Sequence, residues 1–378
     1  MRGIIYNLMD KAQAPTDPEK GFGGLTNMGL TCYGNAVIQN LRHLSKLNWV
    51  MEEGKYNTLF SKTPSATRQK QQDVARSFAE VVQFLGKCKR GQSVRPGTFW
   101  KYVTPAVRDT MYEHLAQKAP HDSHEFFLFL LDSIHGATAQ EVDMKIIRPP
   151  ATTPQEQLVH GALEAWQREF SKEYSPFVHM FYGVGHWRTT CHTCKNVSHR
   201  WESFTSLKVP IPQVGGAAAG EDLPDIMKML HAEMQPETID GYQCDKCAKR
   251  TEASRYMRIW RLPLTLVLVM KRFTPDGRKI STRVAPLPQT PIDFGPYFSE
   301  ESPERKGLVH YTLRGIVDHH GSAGGGHYTA QCKHTGNGVW HVYDDEGVGA
   351  EPAPQFGEST YMMFLERESA ATAPAAEA

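Results

Sequence analysis

Apolar residues change their spacing part-way along the chain. After Cys32 they fall at Val37, Ile38, Leu41 and Leu44, an i, i+1, i+4, i+7 series that lines one face of a helix. The same period returns at Phe126, Phe127, Leu130, Leu131 and Ile134, where Asp122 followed by Glu125 resembles a capping box. A third helix is expected from Pro154 to Tyr174, after a loop at Arg148-Pro149-Pro150. From about Phe181 the pattern turns to strands. Leu266 to Val269 is a dense β-prone run, as are Val309 to Val317, His327 to Lys333, Val339 to Tyr343 and Tyr361 to Leu365, with Gly-rich turns between them. Helices first and strands later predict an α+β architecture rather than alternating βαβ units. Residues 1–20, ending in Pro15-Thr16-Asp17-Pro18, read as a lead-in, Gly215 to Gly220 as a flexible surface loop, and the Ala-rich residues 367–378 as a disordered tail.

Composition narrows the class. The 378 residues are 40% hydrophobic and 22% charged, ordinary values for a globular protein with a core of its own. Lys plus Arg number 42 against 41 Asp plus Glu, which gives no reason to expect nucleic-acid or polybasic membrane binding. The longest apolar stretch, Leu262 to Met270, contains a proline and is far too short to cross a bilayer. No secretory pattern is read at the first residues, so the seven cysteines are expected as thiols or metal ligands, in the cytosol or nucleus.

Three segments carry candidate chemistry. Gly24-Leu25-Thr26-Asn27-Met28-Gly29-Leu30-Thr31-Cys32-Tyr33-Gly34-Asn35 sets a cysteine at the start of the first amphipathic helix, where the helix dipole and unpaired amides favour a thiolate and an oxyanion. Asn27 could add a side-chain donor. Taken alone, such a cysteine is more often a small buried residue, and such an asparagine a turn residue. Gly324-Gly325-Gly326-His327-Tyr328 places a histidine after three glycines at a strand start. A hairpin around Gly336-Asn337-Gly338 would bring Asp344 and Asp345 back beside it, to hold the imidazole in the tautomer that takes a thiol proton. The third segment is a pair of Cys-x₂-Cys motifs, Cys191/Cys194 and Cys244/Cys247, separated by 49 residues. Four thiolates with no open position make a structural zinc site, here at the tips of two hairpins. His192 and His199 lie near but are redundant, and Cys88 and Cys332 read as packing residues.

The two boxes around Cys32 and His327 together resemble the ubiquitin-specific proteases, over roughly residues 21–366. Asn35, Gln39, His121-Asp122-Ser123-His124-Glu125-Phe126, Leu262-Pro263, Lys271-Arg272-Phe273, Trp340 and Tyr343-Asp344-Asp345 extend the likeness. The resemblance implies a papain-like layout of helical thumb, β palm and zinc-bearing fingers at about 181–273. It implies Cys32 as nucleophile, His327 as general base and then acid, Asn27 as oxyanion donor, and Asp344 as the orienting acid with Asp345 as its competitor. Ubiquitin's tail is basic and ends in two glycines, so Asp122 and Glu125 would meet its arginines, while Tyr328 and His320 would line the channel. The implied partners are ubiquitin, ubiquitinated proteins and a separate activating or targeting protein. Another ubiquitin-like modifier, or a non-catalytic ubiquitin-binding scaffold, are the alternatives. Two positions depart from the family pattern: Leu30 stands where Asn is common, and Gly34 replaces a larger residue.

Overall fold

The computed structural model describes residues 19–51, 56–147, 150–213, 223–307 and 309–368. The expected Gly215–Gly220 loop, the tail from residue 369 and the lead-in up to residue 18 lie outside the described residues. In chain order the first part holds β1 (Gly24–Leu25), α1 (Cys32–Arg42), α2 (Ser45–Val50), α3 (Ala66–Lys87), β2 (Ser93–Val94), α4 (Gly97–Val107), α5 (Ser123–Thr138), α6 (Pro154–Phe170) and α7 (Pro176–Phe181). The second holds β3 (Gly183–Cys191), β4 (Val197–Phe204), β5 (Leu207–Val209), α8 (Ile226–Glu233), β6 (Glu237–Cys244), β7 (Lys249–Arg261), β8 (Thr265–Met270) and β9 (Ile292–Asp293). It ends with β10 (His310–Ser322), β11 (Gly325–Lys333), β12 (Trp340–Asp344), β13 (Gly347–Glu351) and β14 (Thr360–Arg367). The change of apolar spacing near Phe181 therefore marks the border between helices and sheets. Among the described residues, α8 and two short 3-10 helices, Gly295–Tyr297 and Pro303–Lys306, interrupt the strands after it.

The strands form a palm and fingers. The palm is an eight-stranded sheet in the order β13-β12-β11-β10-β14-β8-β5, with β9 beside β10, and the fingers are a four-stranded sheet, β4-β3-β7-β6. The fingers are narrower than the expected 181–273, because β5 and β8 pair with each other in the palm. β8 shows why its sequence is apolar throughout. Val267 and Val269 pack into one core with the helices, while Leu266, Leu268 and Met270 pack into a second on the other face. A strand buried on both faces loses the alternation that a half-exposed strand keeps.

Helix α1 is buried along its whole length. Val37, Ile38 and Leu41 share a cluster with Phe126, Phe127 and Leu130 of α5 and with Val317 and Ala330 of the palm. Its polar residues tie it to the preceding loop and to the palm: Gln39 Nε2 donates to Gly23 O at 3.0 Å, and Asn40 Nδ2 to Ile316 O of β10 at 3.1 Å. The helix carrying Cys32 is thus clamped between thumb and palm.

Three local expectations need correction. The Asp122 side chain does cap α5, accepting from the amides of His124 and Glu125, but the reciprocal half of a capping box is missing. The Glu125 carboxylate turns instead to His114 Nε2 at 2.9 Å. The complete capping box belongs to α6, where Thr153 and Glu156 exchange bonds around Pro154. That helix stops at Phe170 rather than Tyr174, because Tyr174 pairs with Gln140 in an isolated bridge. At the C-terminal end, Glu368 N donates to His310 O, so ordered chain runs past residue 366.

Candidate active site and metal centre

Cys32 is the first residue of α1, and its side chain is nearly buried at the head of a cleft of about 300 Å³. Tyr33, Asp122, Phe273, His319, Gly326 and Tyr328 form much of the cleft wall. Burial pushes the thiol pKa up and the Asp345 charge adds to this, while the amides of Tyr328, Tyr33 and Cys32 itself pull it down. Burial and the Asp345 charge thus work against the thiolate, so attack by this sulfur calls for a base.

Such a base stands next to Tyr328. β11 and β12 pair antiparallel, with Ala330 opposite Tyr343 and Lys333 opposite Trp340, which is the hairpin the sequence suggests. One step beyond this register Asp344 falls diagonal to His327 on the same face, and His327 Nε2 lies 2.6 Å from Asp344 Oδ1. If Nε2–H donates to that carboxylate, Nδ1 is the atom left with a lone pair.

Asp345 does something else. It occupies the left-handed region at φ 48°, and its carboxylate accepts from Asn27 Nδ2 at 2.9 Å and Asn35 Nδ2 at 2.8 Å. Its backbone carbonyl accepts from Leu25 N at 2.7 Å. Both carboxylates lie within 4.8 Å of the imidazole, but Asp344 bonds it, while Asp345, just past the end of β12, staples the cysteine loop to the histidine hairpin. The approach is close: a Cβ on Gly24 would stand 2.3 Å from Glu346 O, which only glycine avoids. Asn27 itself is oriented by its network, for Oδ1 accepts from Gly29 N and Thr31 N at 3.0 and 3.1 Å. Its amide hydrogens are therefore turned toward Asp345 and the open site.

The residues expected to face substrate divide. Asp122 and Tyr328 line the cleft, and Asp122 Oδ2 also accepts from Tyr361 OH at 2.6 Å. Glu125 is exposed and engaged by His114. His320 does not belong on the cleft wall with Tyr328; His319 does. The register explains the correction, since Tyr328 pairs with His319 and His327 with His320, and cross-strand partners share a face. His319 is buried against Tyr328, with ring centroids 4.6 Å apart. Burial, followed by Lys279, His320 and Arg272, pulls its pKa to about 4. The hairpin register, once inferred, was the signal that could have picked it.

At the fingertips all four cysteines converge, their sulfurs within 4.8 Å of one another. Cys191 Sγ is 3.9 Å from Cys247 Sγ, and Cys194 Sγ is 3.6 Å from Cys244 Sγ. Four sulfurs placed about 2.3 Å from one tetrahedral zinc stand roughly 3.8 Å apart, so the set fits that ion. Lys195 and Ala248, each one residue past a Cys-x₂-Cys pair, share a left-handed conformation, so the two knuckles have the same turn. His192 and His199 are engaged elsewhere, by Ser254 and His186. All seven cysteines are free.

A helix-start cysteine in a cleft walled by Tyr328, with the preceding strand residue His327 bonded to Asp344, holds the groups that a thiol hydrolase needs. The chain belongs to the ubiquitin carboxyl-terminal hydrolase family, whose model matches residues 23–365. It is 27% identical over 363 residues to ubiquitin carboxyl-terminal hydrolase 2 of Bos taurus, covering 93% of this chain and 56% of that protein. To ubiquitin carboxyl-terminal hydrolase Usp2 of Drosophila melanogaster it is 28% identical over 361 residues, covering 93% of this chain and 35% of that protein. The chain thus spans only about a third to a half of these two relatives. In fold it is similar to the SAGA DUB module of Ubp8, Sgf11, Sus1 and Sgf73 bound to monoubiquitin, at TM-score 0.68 and 22% identity over 97% of this chain and 74% of the other. The same module bound to ubiquitin aldehyde gives TM-score 0.66 and 21% identity, over 97% and 75%.

Proposed function

We propose that this chain is a thiol-dependent deubiquitinase that hydrolyses the bond after ubiquitin's C-terminal glycine. The observation that carries the reading is the hydrogen-bonded His327–Asp344 pair, set one residue from the Tyr328 amide that faces the Cys32 thiol. His327 Nδ1 takes the Cys32 proton, and the sulfur attacks the glycine carbonyl. The oxyanion is met by the Cys32 amide and by Asn27 Nδ2. The C–N bond breaks as His327 returns the proton to the departing amine. Water, deprotonated by the same imidazole, then hydrolyses the thioester to a carboxylate and restores the thiol. Asp122 on the cleft wall supplies charge for a basic tail, and the bare backbone of Gly325 and Gly326 leaves room for a thin peptide.

Zinc held by Cys191, Cys194, Cys244 and Cys247 is structural in this reading: it ties β3 to the β6–β7 hairpin and takes no part in the chemistry. The ubiquitin-bound modules of like fold support ubiquitin as ligand, and their other subunits support a separate activating or targeting partner here. Seven free cysteines suit a reducing compartment, cytosol or nucleus, which fractionation of tagged protein would test. The direct experiment is hydrolysis of a fluorogenic ubiquitin C-terminal amide by the purified chain and its Cys32→Ala variant. Turnover confined to the unaltered chain supports the proposal. Turnover only of an amide of another ubiquitin-like modifier would redirect it, and tight ubiquitin binding without turnover would make the chain a scaffold.

A further inference from the structure

We infer that the basic segment running from the end of α3 into α4 is a docking surface for acidic stretches of the protein that carries ubiquitin; this rests on the reading of Cys32 as a deubiquitinase nucleophile. Between Glu80 and Asp109 the chain has no acidic residue, yet it holds Lys87, Lys89, Arg90, Arg95, Lys101 and Arg108. Basic and acidic residues balance at 42 to 41 over the whole chain, so this stretch concentrates charge that the rest cancels. All six residues are exposed. Among the described residues, none of the six forms an ion pair. Clustered like charge repels itself, and a partner of opposite charge relieves that repulsion.

Position decides which partner. In the palm, β11 lies between β10 and β12. The cleft wall is built on the β10 side of His327, from Asp122, Phe273, His319 and Tyr328. Asp344 and Asp345 come from the other side, where Asp344 ends β12. β1 is held between that side and β2, because its alternate amides point opposite ways. Leu25 N donates to Asp345 O at 2.7 Å, while Gly24 N donates to Gln92 O at 3.0 Å and Thr26 N to Val94 O at 2.9 Å. The turn closed by Gln92 N on Lys89 O leads into β2, and Arg95 follows it. A Cβ on Gly97, the first residue of α4, would meet Met28 of the nucleophile loop at 3.7 Å. A tail that fills the cleft up to Cys32 therefore has its attached protein carried past His327 toward β1, β2 and the basic segment. The acids on that side do not neutralise it: Asp344 bonds His327, Asp345 bonds Asn27 and Asn35, and Glu346 forms no ion pair with the segment.

Two conjugates test the surface: ubiquitin on the lysine ε-amine of a peptide with Asp and Glu on both flanks, and on the same peptide with Asn and Gln in their place. At about 30 mM salt the unaltered chain is expected to favour the acidic conjugate about tenfold in kcat/KM, shrinking to about twofold at about 300 mM as the exposed charges are screened. Lys87→Glu/Lys89→Glu/Arg95→Glu should reverse the preference. It should hydrolyse a fluorogenic ubiquitin amide, which carries no peptide, at the unaltered rate, and that rate also reports an intact fold. No preference in the unaltered chain, one that survives salt or the triple substitution, or an equal loss on the amide overturns the docking surface while leaving the deubiquitinase reading intact. Should the substituted chain fail to fold, the salt dependence of the unaltered chain decides. No preference together with tight binding of a short RNA or DNA duplex would assign the segment to nucleic acid and overturn the proposal. If the unaltered chain cleaves neither conjugate nor the amide, both readings fall.

Discussion

Asp344 and Asp345 are neighbours with different bonds, so their substitutions should fail differently. Asp344 is 60% exposed at its side chain and bonds the imidazole. Changing it to Asn should leave stability within about 0.5 kcal/mol, as for other exposed positions. It should reduce kcat by about three to four orders of magnitude, because the imidazole loses the partner that fixes its tautomer. Asp345 binds two asparagine amides, one of them on the buried Asn35. In Asp345→Asn the new side chain tolerates φ 48° but has only one acceptor oxygen. If it keeps Asn35, its own NH₂ is turned against that of Asn27. The loss of one charge-assisted bond and the weakening of the other should cost about 1–2 kcal/mol, discounted for the exposure of Asn27. Deleting an oxyanion donor outright costs about 10²–10³ in kcat, so a displaced Asn27 should cost roughly 10–100-fold. Urea unfolding and steady-state hydrolysis of a ubiquitin amide read the two effects separately. Equal stability losses in both variants, or an Asp345→Asn protein with full kcat, would refute the division of labour.

Other consequences are as direct. The purified chain should carry one zinc, and Cys194→Ser or a strong chelator should release it and lower the melting temperature; a metal-free protein of unchanged stability would contradict the site. Burial, first among the causes, depresses the pKa of His43, His334 and His341, with His334 near 4, so the folded state binds fewer protons than the unfolded one below about 6.5. Their contribution is therefore complete above pH 6.5 and is lost as pH falls toward 4, and an equal urea midpoint at pH 7.5 and 5 would contradict it. A Cβ on Gly34 would stand 2.7 Å from the Trp100 ring, so Gly34→Ala should cost about 1–3 kcal/mol in chemical denaturation and Trp100→Phe should restore part of it. Asp122→Asn keeps an N-cap acceptor but loses the charge and the oxygen that Tyr361 OH bonds, so stability should fall by about 1 kcal/mol while KM for ubiquitin substrates rises about tenfold. An unchanged KM would leave Asp122 with capping alone.

Much of this was legible because periodicity and spacing report local geometry. The α1 and α5 faces, the β11–β12 hairpin and the two cysteine knuckles each follow from residues close in sequence. What stayed hidden depends on long-range register. Tyr328 marks the cleft wall, but that His319 rather than His320 shares its face follows only from how β10 pairs with β11. The choice between Asp344 and Asp345 likewise turns on Asn27 and Asn35, more than 300 residues away. Glu125 matched a capping pattern, yet His114 competes for it through tertiary contact. Gly34 departs from the family because Trp100, from another helix, fills the space a side chain would need.

The central claim is that Cys32 is made nucleophilic toward a ubiquitin C-terminus by His327. Ubiquitin bearing a C-terminal electrophile, incubated with the zinc-loaded chain and mapped by peptide mass spectrometry, addresses it directly. A single adduct on Cys32, absent in Cys32→Ala and slowed at least a hundredfold in His327→Ala, is the expected result. An adduct on another of the seven cysteines, or labelling of Cys32 at the same rate without His327, would contradict it.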